Sequence, residues 1–227
     1  MLWACFLCLI RMAMAMAWPP EKPAGENPQP VTESVTGEPR GRLAHCDMHN
    51  ENVMFGDAVP PDEDEEHSLV PIMKLIDFGT AREFTEDEGG MEAIALNIYD
   101  IGCLAAELIS LNTNKSIDLQ HQVASGARRF VMTPGEPEIL TAAGFLLPKD
   151  NGVDPFPSVD LDLRRVVCAC LAKESEDRPE LEWLVNYATQ AVAERTEEWY
   201  KDREHGHRET DQFIHSMLQD LMFNAAY

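Results

Sequence analysis

From Leu2 to Trp18 the chain carries one charge, Arg11, and the run stops at Pro19-Pro20. Whatever this protein folds into must hide that segment from water or place it in lipid. Three readings compete. A signal peptide would account for Leu2–Ile10 and for the small-residue pattern Ala15-Met16-Ala17, but no positive charge precedes the run and Arg11 interrupts it. A membrane span needs about 20 apolar residues, and a central Arg is costly there. A core helix needs neither feature, so residues 1–18 are expected to form a buried helix, and no membrane partner is expected. The expected location is intracellular, in the cytoplasm.

The rest of the chain sets the class. It has 227 residues, enough for one sizeable core, and 44% of them are apolar. Asp plus Glu number 40 against 18 Lys plus Arg, a net charge of −22. A nucleic-acid partner is therefore not expected, because phosphate neutralisation needs basic surface. A bound metal can still bring an anionic ligand to an acidic protein. The six cysteines form no paired CxxC set, which points to reduced, mostly buried thiols.

Pro19, Pro20, Pro23, Pro28, Pro30 and Pro39, with Gly25, Gly37 and Gly41, mark residues 19–42 as a linker or insertion. Asn52–Phe55 and Ile72–Ile76 read as short strands, able to pair as a hairpin around the acidic run 62–66, itself a solvated loop tip. Ile98, Ile101, Ala105, Leu108 and Ile109 recur at helical spacing, as do Leu163, Val166, Val167, Cys170 and Leu171. Pro179 suits the first turn of a helix through Ala188. Phe213, Ile214, Met217, Leu218 and Leu221 give a last helix one apolar stripe, expected to bury against the core or a partner. Residues 191–227 thus read as a helical extension. The fold class expected is mainly α (α+β).

The chemistry lies in two stretches, His45-Cys46-Asp47-Met48-His49-Asn50-Glu51-Asn52 and Lys74-Leu75-Ile76-Asp77-Phe78-Gly79. Phosphoryl transfer from a nucleotide needs a carboxylate to orient the attacking hydroxyl, and oxygen ligands to hold Mg²⁺ against the phosphates. Asp47, Asn52 and Asp77 are the right types. The hairpin would bring Asn52 and Asp77 to one edge, with Asp47 opposite across a cleft. His45, Cys46 and His49 could suggest zinc, but no fourth ligand stands near in a matching motif.

The HxDxxxxN…DFG series resembles the catalytic and metal-binding loops of the protein kinase family. The resemblance implies that Asp47 is the catalytic base and that Asn52 and Asp77 hold Mg²⁺ with ATP. It implies that His45, Phe78 and Gly79 complete the two loops. Residues 97–108 resemble the buried central helix of the C-terminal lobe, and Leu171–Pro179 the late LxxxPxxRP element, with Arg178 in the arginine position. The whole is similar to divergent kinase-like proteins of filamentous fungi, over about 1–18 and 43–190. Asp47-Met48-His49 also resembles the HxDxHxxN loop of aminoglycoside phosphotransferases.

The pattern breaks in several places. No glycine-rich loop and no VAIK-like lysine precede His45, and the residues before it are too few for an N-lobe. Cys46 and His49 replace the family's arginine and lysine. From Asp77 to Asn97 is 20 residues, short for an activation segment. Asn97 replaces the aspartate that ties down the catalytic loop, and Arg178 lacks its usual glutamate, with Glu92 a substitute candidate. The expectation is a protein kinase C-lobe with the N-lobe absent. Such a lobe would transfer phosphate to protein Ser/Thr weakly or act as a pseudokinase that binds protein partners; the alternative is a small-molecule kinase.

Overall fold

The computed structural model describes residues 1–19, 35, 37, 41–56, 69–85, 90–112, 127–133 and 135–223. The linker 19–42 and the acidic run 62–66 therefore lie largely or wholly outside the described residues. The described chain is mainly helical, with three two-stranded antiparallel sheets. Its helices are α1 (Leu2–Ala17), α2 (Gly90–Ser110), α3 (Leu161–Cys170), α4 (Leu181–Glu194), α5 (Glu197–Tyr200) and α6 (Asp211–Phe223). Its strands are β1 (Leu43–Ala44), β2 (Val53–Phe55), β3 (Met73–Leu75), β4 (Arg82–Glu83), β5 (Arg128–Val131) and β6 (Glu138–Thr141).

The apolar N-terminal run forms α1, and α1 is core. Phe6, Leu7, Leu9, Ile10 and Met14 are each 1% exposed or less. It packs against α2 and α4, as a helix apolar nearly all round must. By length and composition Met91–Ser110 of α2 could also cross a membrane, but two-thirds of it is buried here. Gly102 lets α2 approach α3: a Cβ there would lie 2.8 Å from Leu171 Cγ. Residues on either side of the insertion meet again, since Gly41 N–H donates to Ala17 O at 2.8 Å and the Trp18 indole donates to Gly37 O at 3.1 Å.

Several expectations need adjustment. α4 starts at Leu181 with Glu180 as its cap, so Pro179 precedes the helix rather than sitting in its first turn. Among the side chains described on α6 only Ile214 is buried; Phe213 is 39% exposed, Met217 and Leu218 are half-buried, and the Leu221 side chain lies outside the described residues. The β5–β6 hairpin and the β1–β4 pair had no counterpart in the sequence reading. Five cysteines are buried and free, and burial pushes the Cys5 thiol up to about 11 and the Cys170 thiol to about 12. Cys46 alone is exposed.

Candidate functional site

Two small sheets frame the loop that carries the candidate residues. β1 pairs with β4, Leu43 opposite Glu83 and Ala44 opposite Arg82. β2 pairs with β3, Val53 opposite Leu75 and Phe55 opposite Met73. Between β1 and β2 run residues 45–52, and between β3 and β4 run residues 76–81. Both sequence stretches thus become loops at neighbouring strand ends.

The first loop is anchored from the core. Met48 is fully buried beneath it. Asn97, on α2 and 1% exposed, accepts from His45 N–H at 3.1 Å and donates to Leu43 O at 2.8 Å. An amide can serve both partners because it has a donor end and an acceptor end. Although Asn97 departs from the family pattern, it ties the loop down on both sides. The lone amide within an apolar helical face was the available signal.

His45 joins the two loops. Its ring is fully buried, and Nε2 lies 3.0 Å from Ile76 O, so Nε2 carries the hydrogen and donates. Nδ1 is buried without a hydrogen-bond partner. The edge of Phe78 stands against the ring, centroids 4.8 Å apart, and the Thr80 hydroxyl donates to His45 O at 3.4 Å.

Asn52 is the pivot. Its side-chain nitrogen donates to Asp47 O at 2.9 Å and to Asp47 Oδ2 at 3.3 Å. Its backbone carbonyl accepts from Ile76 N–H at 2.9 Å, continuing the β2–β3 ladder by one pair. Asp77 is the next residue, one step past this last pair at the open end of the hairpin. Asp47 is in contact with Asn52 rather than across a cleft from it, because the short turn Asn50–Asn52 folds the loop back on itself. His49 closes the group, with Nε2 3.5 Å from Asp47 Oδ1.

Asp77 sits in the left-handed region, φ 59°, and Oδ1 accepts from Gly79 N–H at 3.1 Å. Cys46, just before Asp47, is also left-handed, φ 61°. Such conformations are costly for residues other than glycine and gather at functional sites. Beneath the site, burial pushes the carboxyl of Asp100 on α2 up to about 7, partly offset by the Arg178 guanidinium, with Asp47 adding to the rise.

Arg178 stands within electrostatic reach of the Asp100 carboxyl but forms its direct contacts elsewhere. It donates to Ala172 O at 3.1 Å and Ala95 O at 2.9 Å, and its guanidinium lies over the Tyr99 ring at 4.7 Å. It makes no direct ion pair among the described residues; Glu92 acts on it only at longer range, through its charge. Backbone carbonyls and an aromatic face are its direct partners.

Asp47 and Asn52 are in direct contact, and Asp77 follows Ile76, the backbone partner of Asn52, while His45 contacts Ile76 and Phe78 across the two loops. Among the described residues no three His, Cys, Asp or Glu side chains gather as a metal-binding group. His45 Nε2 is taken by Ile76 O and Cys46 Sγ faces Ala44 O, which disfavours the zinc reading. No family model matches the chain, and no curated protein matches it significantly.

Proposed function

We propose that this chain is a protein-kinase-like phosphotransferase lobe, in which Asp47 orients and deprotonates an acceptor hydroxyl beside Mg²⁺-bound ATP. The observation that carries the reading is the Asn52 side chain. Its nitrogen donates to Asp47, while its backbone carbonyl accepts from Ile76, the residue before Asp77. Asn52 thus links the loop of the base to the loop that carries a second oxygen donor, an arrangement suited to phosphoryl transfer.

The donor set fits a hard cation. Asn52 offers an amide oxygen and Asp77 a carboxylate with one oxygen already oriented by Gly79 N–H. Mg²⁺ held by these two would neutralise phosphate charge. Asp47 has its carboxylate half-exposed, open to an acceptor and anchored through Asn52. His45 links the two loops through Ile76 O and the Phe78 ring.

A second reading, a lobe that acts by binding protein, is supported by the apolar residues bordering the site. Met54, Phe55, Ile76 and Phe78 are 54%, 49%, 38% and 47% exposed. Residues 1–44 contain no glycine-rich loop and no VAIK-like lysine strand to hold the triphosphate. Misplacement of about 1 Å can cost about 100-fold in rate, so transfer by this chain alone is expected to be slow.

A phosphotransfer assay on purified protein decides between them, with ATP, Mg²⁺ and protein or small-molecule acceptors. Slow transfer that disappears in Asp47→Asn supports the phosphotransferase reading, and its acceptor separates protein from small-molecule kinase. Transfer equal in the two proteins, with no Mg²⁺-dependent nucleotide binding, would leave the binding lobe.

A further inference from the structure

We infer that β2 is a docking edge: it takes an extended segment of a basic partner protein as an added antiparallel strand, whose alternating apolar residues are followed by Lys or Arg. The inference rests on the reading of this chain as a lobe that binds protein, and it names the place and the partner's chemistry.

The ladder fixes which way the backbone of β2 points. Ile76 N–H donates to Asn52 O at 2.9 Å, and Gly56 N–H donates to Ile72 O at 2.7 Å. Bonded and non-bonded pairs alternate along an antiparallel ladder, so Met54 and Lys74 bond each other between these two positions. The N–H and C=O groups of Val53 and Phe55 therefore turn away from β3. They have no hydrogen-bond partner among the described residues. The other edge of the hairpin is met by the core. On β3, Cys8 Sγ of α1 lies 3.1 Å from Met73 N and 3.8 Å from Met73 O, the N–H donating to sulfur and the thiol to the carbonyl. So β3 faces the buried helix, and β2 offers two residues of unpaired backbone.

The side chains of β2 suit a partner rather than water. Met54 is 54% exposed and Phe55 49%, on opposite faces of the strand. Edge strands that stay unpaired commonly carry Lys, Pro or a bulge, and β2 itself carries none of these. Charge selects the partner. At the Asn52 end of the strand Asp47 is half-exposed and Glu51 and Asp77 are exposed, while Lys74 is the one charged residue of β2 and β3. An antiparallel segment brings its C-terminal end to Asn52, so its basic residues follow its apolar ones. A second copy of the chain would set −22 against −22, so complementarity favours a basic partner over self-pairing.

The test uses the full chain and capped synthetic peptides. The parent peptide alternates valine and threonine over five residues and ends in three lysines; a second has the lysines first. Two more carry N-methyl groups on alternate residues of the parent, one in each register, so that one blocks pairing and the other does not. Amide hydrogen exchange locates the site. Without peptide, Val53 and Phe55 are expected to exchange about tenfold or more faster than Met54. The parent peptide is expected to slow Val53 and Phe55 and leave Met54 little changed. One N-methyl register is expected to weaken binding about tenfold or more while the other binds like the parent. The lysines-first peptide is expected to bind about fivefold more weakly, a difference that Glu51→Gln narrows. N-methyl registers that bind alike, or protection confined to amides away from β2, would overturn the docking edge; the second result still keeps the binding lobe. Val53 and Phe55 protected without peptide overturn it too, and protection that rises with protein concentration assigns the edge to a second copy. If no peptide binds, the docking edge is refuted, and the phosphotransfer assay decides the binding lobe separately.

Discussion

Asn97 is 1% exposed, and its amide holds His45 N–H and Leu43 O across the start of the site loop. Asn97→Ala leaves a buried donor and acceptor unpaired, each costing about 1–3 kcal/mol. The expected outcome is a loss of about 2–4 kcal/mol in chemical denaturation, with faster amide exchange at His45. An unchanged His45 exchange rate would mean that the loop does not depend on this anchor. Asp100, one helical turn along, works in the opposite sense. Its folded-state pKa of about 7 lies above the ordinary aspartate value near 3.9. A group raised on folding contributes fully below about pH 4, and that contribution is lost as pH rises through about 7. Asp100→Asn is therefore expected to stabilise the protein by about 2 kcal/mol or more at pH 8, with the gain fading near pH 4. Melting curves across that range read it directly, and a gain independent of pH would refute the burial argument.

Elements were legible in the sequence where a period or a motif named them, and hidden where contact alone makes them. α1, α2, α3 and α4 follow from apolar spacing, and β2–β3 from two short apolar runs bracketing a polar loop. β1 and β4 have two residues each, too few for any alternation to register, and exist because Leu43 and Glu83 happen to be brought together. β5–β6 carries Arg128 and Arg129 beside Phe130 and Val131, which gives no clean strand pattern. In the site, the residue types and spacing of Asp47, Asn52 and Asp77 were readable, but the direct Asp47–Asn52 contact depends on a turn the sequence does not announce. Nor is the buried Arg164 legible. It is 2% exposed and grips Asp154 through two bonds of 2.8 and 2.9 Å. The same holds for the return of the chain to α1. A Cβ on Gly41 would lie 1.6 Å from Met16 O. Gly41→Ala must push the backbone off the end of α1, an overpacking cost of about 1–3 kcal/mol. A lower melting temperature with unchanged helical signal is the expected result, and an unchanged melting temperature would mean that the return crossing is not close-packed.

At the scale of the molecule, charge is the dominant fact. The −22 balance covers the full chain, 40 acidic against 18 basic residues, and the proposed site adds Asp47 and Asp77 at its own edge. Self-repulsion of this size opposes the compact state and is screened by salt, the Debye length falling from about 30 Å at 0.01 M to about 8 Å at 0.15 M. The few described ion pairs pull the other way. Arg195 bridges Asp160 at 3.2 Å and Asp162 at 3.0 Å, and the Trp3 indole donates to the same Asp160 at 2.9 Å. The Arg195 and Asp160 side chains are 12% and 6% exposed, and buried pairs are screened far less than surface charges. Salt should therefore relieve the repulsion while leaving this cluster intact. The melting temperature is expected to rise between 0.01 and 0.15 M NaCl, opposite to a protein held by surface salt bridges. The same field repels a nucleotide triphosphate, so affinity for Mg·ATP is expected to rise over the same interval rather than fall. Titrations at the two salt concentrations, with Arg195→Met as a control for the buried cluster, read both effects. A melting temperature that falls with salt in wild type and not in Arg195→Met would assign the electrostatic balance to that one cluster and overturn the account by net charge.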